Sequence, residues 1–323
     1  MMAYDTGNAG ASSTRAIGGV CPVLATPFDS TGAPDHDSMR RVVEFAIDCG
    51  ADAVVYPGVA SEVEQLADDE REALVDVVAR SAAGRVPLVL GASAIDPAST
   101  HRMLRKAGEV GAAAAMIMAP ARLSGQPQAL VDYYRELSDM SGGVALMLQN
   151  APPPAGAGFD MAALAAVVAA APAVRYVKEE AMPCGQRISA LQAREELADA
   201  PHFVGVLGGA GGRYLLDELA RGAIGTMPAC ELTDIHVELM RAWRDKRRRD
   251  ARELYNRSLP LLNFQAVFRW AMTKEVLRRR GVIDCAHVRA PGPRLDAQDQ
   301  VELGIMLAEI ADLLRAFPLV DSA

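Results

Sequence analysis

Short apolar runs recur along the chain, each closing on small or turn-forming residues and each followed by a stretch of helical period. They predict strands at Gly19–Thr26, Ala53–Pro57, Pro87–Gly91, Ala114–Ala119, Val144–Gln149, Val174–Lys178, Phe203–Leu207 and Ala223–Met227. Apolar positions three and four apart predict helices between them. These are Asp37–Cys49, Glu62–Ala83, Pro97–Val110, Gln126–Met140, Asp160–Ala171, Gln186–Leu197 and Gly212–Arg221. Strands alternating with helices pair in parallel, because each crossover helix returns the chain to the same end of the sheet. The expected fold class is α/β, a (β/α)8 TIM barrel over residues 18–235 followed by a C-terminal helical domain over residues 236–323. An open doubly wound sheet would carry G-x-G-x-x-G after its first strand, and none follows Gly19–Thr26. From Leu232 to about Phe317 the pattern is helical, and Pro260 with the loop Ala290-Pro291-Gly292-Pro293 predicts several helices packed beside the barrel.

Composition narrows the class. Half of the 323 residues are hydrophobic, enough for one large domain or a barrel with an appendage. A formal net charge of −8 argues against a nucleic-acid partner, and the run Arg244-Asp245-Lys246-Arg247-Arg248-Arg249-Asp250 reads as a solvated helix end. The five cysteines are scattered without a C-x-x-C pair, which predicts a reduced, cytoplasmic protein. Residues 1–17 are small and polar with no apolar core, a flexible tail rather than a signal peptide. The alanine-rich stretch Met161 to Val177 is broken by Pro172, so it predicts a buried helix and strand and no membrane span. The histidines form no H-x-H or H-x-x-x-H pair, so no metal is expected.

One residue type is conspicuous by its rarity. Of 33 lysines and arginines only Lys106, Lys178, Lys246 and Lys274 are lysine, and three of these sit in polar, helix-like surroundings. Lys178 instead ends a strand. Arginine serves any surface charge role, but it cannot lose its proton and attack a carbonyl; a desolvated lysine can. In such barrels the chemistry sits at the C-terminal ends of the strands. That rule collects Gly58 to Ser61, Arg122, Gln149, Asn150, Lys178 to Glu180, Gly208 and Met227 as candidates. Alternation puts Glu180 on the face of Lys178 and Glu179 on the other, so Glu180 is placed to orient the lysine or, with a raised pKa, to move protons. Ser61-Glu62-Val63-Glu64 has the S-x-x-E form of a capping box, and the amides there serve either as a capped helix start or as an anion site.

These landmarks, in this order, resemble the dihydrodipicolinate synthase/N-acetylneuraminate lyase family of class I, Schiff-base aldolases, over about Gly18 to Leu314. Thr26-Pro27-Phe28 is similar to the family's opening T-P-F, Gly58-Val59-Ala60-Ser61-Glu62 to its G-x-x-G-E loop, Gln149-Asn150-Ala151-Pro152 to Y-N-x-P, and Val177-Lys178-Glu179 to the lysine strand. The resemblance implies a barrel with a C-terminal helical domain, commonly a homotetramer. It also implies an imine between Lys178 and pyruvate or a longer 2-oxo (sugar) acid, with aldol cleavage, condensation or dehydration and no cofactor. A small-molecule substrate and a dimer or tetramer are the partners expected. Four departures mark a divergent member. Gln149 stands for the tyrosine that relays protons, and Val59 and Ala60 stand for two hydroxyl-bearing residues whose backbone amides still bind a carboxylate. Ala121-Arg122 replaces a tyrosine pair, and Pro152-Pro153-Pro154 lacks the arginine of true dihydrodipicolinate synthases. Arg122 as a carboxylate anchor, Ser61 as a hydroxyl source and Glu180 as an acid–base are the candidate replacements. Two other readings compete. One is a phosphosugar barrel enzyme using Gly208-Gly209-Ala210-Gly211-Gly212; the other is a paralogue that binds 2-oxo acids without turnover.

Overall fold

The computed structural model describes residues 16–94 and 96–315, so the expected N-terminal tail lies almost wholly outside the described residues. Eight parallel strands form one curled sheet: β1 (Gly19–Val20), β2 (Val54–Tyr56), β3 (Leu88–Gly91), β4 (Ala114–Met118), β5 (Ala145–Asn150), β6 (Val174–Glu179), β7 (Gly205–Gly208) and β8 (Gly225–Thr226). The sheet runs β1-β8-β7-β6-β5-β4-β3-β2, and Val23 closes the ring by bridging both Val55 and Ala229. The expected first strand is longer than β1. Pro22 and Pro27 have no N–H for a ladder, and single bonds from Val23 N to Pro228 O (2.7 Å) and Leu24 N to Val55 O (3.0 Å) carry the chain along the wall instead.

Outside the strands lie α1 (His36–Asp48), α2 (Asp68–Ala82), α3 (Pro97–Glu109), α4 (Pro127–Asp139), α5 (Met161–Ala170), α6 (Cys184–Gln192) and α7 (Leu215–Ala220). Asp35, Asp96 and Asp160 cap α1, α3 and α5 by accepting from first-turn amides. Helix α2 starts six residues later than the pattern predicts. Glu62 adopts a left-handed φ of 56° between two short 3-10 turns, Val59–Ser61 and Val63–Gln65, and that residue stops any continuous helix. The C-terminal part holds α8 (Thr233–Arg244), α9 (Arg248–Phe268), α10 (Trp270–Arg279) and α11 (Ala297–Glu309). Pro260 does not divide it: α9 runs through that residue and ends at Arg269, whose φ is 46°.

Side-chain parity sorts the core into two layers. Ala53, Val55, Val89, Ala114, Met116, Ala145, Met147, Tyr176, Leu207 and Met227 point into the barrel. Their neighbours Val54, Tyr56, Leu88, Leu90, Ala115, Ile117, Leu146, Leu148, Val177 and Val206 point out against the helices. A further cluster joins Leu232 and Ile235 to Leu261, Met272, Val276, Leu303 and Leu307, packing the C-terminal helices on one another. Among the described residues no helix is long and apolar enough to cross a membrane.

Candidate active site

The same parity builds the site. Gln149 follows Ala145 and Met147 on the inward face of β5, and Lys178 follows Tyr176 on that of β6. Register then pairs Gln149 with Lys178 and Lys178 with Leu207, so the amide and the amine share one layer at the mouth of the barrel. Glu180, one step past β6, returns to the same face. Its Oε1 lies 3.1 Å from Lys178 Nζ, and its Oε2 accepts from Gln149 Nε2 at 2.6 Å. Lys178 is 5% exposed and Gln149 4%, so the three groups meet largely out of water.

Burial pushes the Glu180 carboxyl up, but Lys178, Gln149 and the backbone at Ala210 outweigh it, and the net shift is below the ordinary carboxylate range. The raised pKa expected for this residue is therefore corrected: beside Lys178 it is an ionised base, not a stored acid. Glu179 faces the other way and is 1% exposed, accepting from Asn150 Nδ2 (2.8 Å) and Ala181 N (2.7 Å) with Arg187 Nε at 3.3 Å. Burial wins there, and its carboxyl is raised.

Two cavities open at this mouth. One, of about 340 Å³, holds Lys178, Glu180, Ala60 and Met227, with Gln265, Arg269, Trp270 and Thr273 brought by α9 and α10. The other, of about 430 Å³, starts at Gln149 and runs outward past Met118 to Arg122. Val59 lines both and Gly58 the second. The amides of Val59 and Ala60 head the 3-10 turn Val59–Ser61, where the first N–H groups have no intrahelical acceptor. Trp270 Nε1 donates to Val59 O at 2.7 Å and ties that turn to α10.

Three expected substrate contacts lie elsewhere. Ser61 is fully buried; its Oγ accepts from Gly58 N (2.9 Å) and donates to Leu24 O (2.5 Å), closing the turn from its third position rather than capping a following helix. Asn150 points outward and brackets Glu179 to Phe159 N (2.8 Å). Gly208 also faces outward, where a Cβ would sit 1.9 Å from Glu218 Oε2. The glycine run after β7 makes room for the protein's own side chains: Glu218 at Gly208, Glu180 at Gly209 and His236 at Gly212. That removes the feature on which the phosphosugar reading rested.

Sequence reasoning passed over Lys274. It is not in polar surroundings: it is fully buried in α10, ion-paired to Glu62, donating to His287 O at 2.7 Å and seated 4.0 Å above the Phe28 ring. Burial lowers its amine to about 8 despite Glu62. The scarcity that singled out Lys178 applies to it equally, and its neighbours Met272, Val276 and Leu277 were the available signal. Among the described residues, no three His, Cys, Asp or Glu side chains are grouped to hold a metal.

Comparison with known proteins agrees with this fold. The model of the dihydrodipicolinate synthetase family matches residues 16–310. An L-2-keto-3-deoxyarabonate dehydratase from Azospirillum brasilense is 30% identical over 296 residues, covering 90% of this chain and 94% of that protein. A 4-hydroxy-tetrahydrodipicolinate synthase from Xanthomonas axonopodis pv. citri is 32% identical over 136 residues, 42% of this chain and 45% of that one. The crystal structure of dihydrodipicolinate synthase from Rhodopseudomonas palustris superposes with a TM-score of 0.84 at 25% identity, over 91% of this chain and 97% of that chain. With a family match across almost all of its described length, the chain belongs to the dihydrodipicolinate synthetase family and is a lyase.

Proposed function

We propose that the chain eliminates water from a 4-hydroxy-2-oxo acid held as an imine on Lys178. The observation that carries this is the line Lys178–Glu180–Gln149, an amine, an ionised carboxylate and a fixing amide in consecutive contact. The lysine attacks the C2 carbonyl, water leaves, and the iminium makes the C3 protons acidic. Glu180 takes one of them, giving an enamine. The enamine then expels the C4 hydroxyl, which leaves as water with the proton Glu180 has just accepted. Imine hydrolysis releases a 2-oxo-3-enoic acid and returns the lysine. One carboxylate thus serves as base and then acid, so no tyrosine is needed, and Gln149 acts by holding that carboxylate. The substrate carboxylate is placed on the amides of Val59 and Ala60.

The same groups would serve aldol cleavage, with Glu180 taking the C4 hydroxyl proton. The full-length likeness to a dehydratase favours elimination. A cytoplasmic dimer or tetramer belongs to the same proposal. Glu180→Gln tests it, because the variant keeps the hydrogen-bonding shape and loses the base. Imine formation with a 2-oxo acid should persist while turnover falls roughly 100-fold or more. Turnover within a few-fold of the parent would refute the assignment.

A further inference from the structure

The cavity beyond Gln149 bears on what the substrate carries past C4. We infer that it takes an apolar, ring-sized group, so that the substrate is a 4-hydroxy-2-oxo acid with a hydrocarbon substituent at C4 rather than a polyol or a dicarboxylate. The inference rests on the imine reading, which fixes C2 at Lys178, and it takes the distal end of the substrate past Val59, which lines both cavities, to the side of Gln149.

The cavity measures about 430 Å³, within the usual range for small-molecule sites. Its wall is hydrocarbon: Met116 and Met118 from β4, Val59 and Val63 from the two turns, with Pro57 and Pro120 closing the sides. Val59 stays 41% exposed at this mouth, an apolar surface left bare. The polar side chains deeper in the lining already use part of their hydrogen-bonding capacity within the protein. Arg71 donates from Nη2 to Gly91 O (2.6 Å) and Ser93 O (3.2 Å), while its buried Nε has no hydrogen-bond partner. Ser93 Oγ accepts from Met118 N at 2.9 Å, and Gln149 Nε2 donates to Glu180.

Glu64 and Arg122 remain, both exposed at the rim and opposite in sign, so they offset one another, and the further charge of the lining, Arg71, is buried with its Nη2 on two backbone carbonyls. A sugar hydroxyl moved from water onto this wall loses hydrogen bonds that little there returns, whereas a hydrocarbon group gains by leaving water. Val59 and Ala60, standing where the resembling family has hydroxyls, change the chemistry in the same direction.

The test compares kcat/KM for three probes: 4-hydroxy-2-oxo-4-phenylbutanoate, L-2-keto-3-deoxyarabonate and a 4-hydroxy-2-oxo dicarboxylate. The phenyl compound should lead by about tenfold or more. Met118→Gln should shrink that lead about tenfold, and a ratio read within one preparation does not depend on how much of the variant folds. Equal or better turnover of the polyol or the dicarboxylate overturns the inference, as does an unchanged ratio in Met118→Gln. Pyruvate has no distal group, so borohydride trapping of pyruvate on the parent protein separates the two claims. Trapping on Lys178 without a phenyl preference defeats this inference alone; no trapping of any 2-oxo acid defeats the imine reading and this inference with it.

Discussion

Lys178, Gln149 and Glu180 meet because two neighbouring strands present every second residue to the barrel axis, and the register between them is in step at the mouth. A second carboxylate sits behind this line under different rules. Glu218 is fully buried on α7, packed against the bare backbone of Gly208, with neither oxygen hydrogen-bonded. Burial raises its carboxyl to about 8, and Asp217, Glu180 and Glu179 push the same way. The folded protein therefore keeps this proton between about pH 4.5 and 8, where the unfolded chain has released it, and the residue's contribution to stability falls as pH rises through that window. Glu218→Gln removes the linkage. The stability of the variant relative to the parent should rise by a few kcal/mol from about pH 5 to about pH 9, at roughly 1.4 kcal/mol per pKa unit. Thermal unfolding at the two pH values measures it, and a pH-independent difference would contradict the argument. At this scale the sequence was informative where parity decided. It put Lys178 and Glu180 on one face and Glu179 on the other. Ser61 and Asn150 were misplaced because each hydroxyl or amide has a backbone partner that sequence does not display.

Elements carry the next layer of the account. The turn Val59–Ser61 keeps its shape because α10 reaches it twice, through Trp270 Nε1 on Val59 O and through Lys274 on Glu62. Glu62 also accepts from Ala290 N at 2.6 Å, so one buried carboxylate gathers the β2 turn, α10 and the loop after it. Removing one partner of a buried pair leaves the other charge without compensation, so Lys274→Met should destabilise the protein by about 3–5 kcal/mol. Lys274→Met with Glu62→Gln should cost markedly less than the sum of the two single changes. Chemical denaturation of the three variants checks this; a near-neutral Lys274→Met would show that the pair does not hold the turn. Hydrophobic period gave the existence and order of the seven barrel helices. It could not see the left-handed residue at Glu62 that delays α2, nor that α9 would pass Pro260 unbroken. Those outcomes depend on tertiary contacts rather than on local pattern.

On the scale of the molecule, alternation of strand and helix was enough to specify the barrel, because a parallel sheet with its helices outside follows from that order. What the pattern left open was the part played by the C-terminal helices. They do more than pack beside the barrel: Gln265, Arg269, Trp270 and Thr273 wall the cavity that holds Lys178. The site therefore belongs to both parts of the chain, and its central lysine is one of two buried lysines that the fold keeps apart. Lys178 faces a cavity, while Lys274 is fully enclosed by Glu62, His287 and Phe28. The direct test is reduction with borohydride in the presence of pyruvate, followed by peptide mass spectrometry. A single reduced three-carbon adduct on Lys178, with Lys274 unmodified, is the result predicted here. An adduct on Lys274 or another lysine, or none across a panel of 2-oxo acids, would contradict the imine on Lys178.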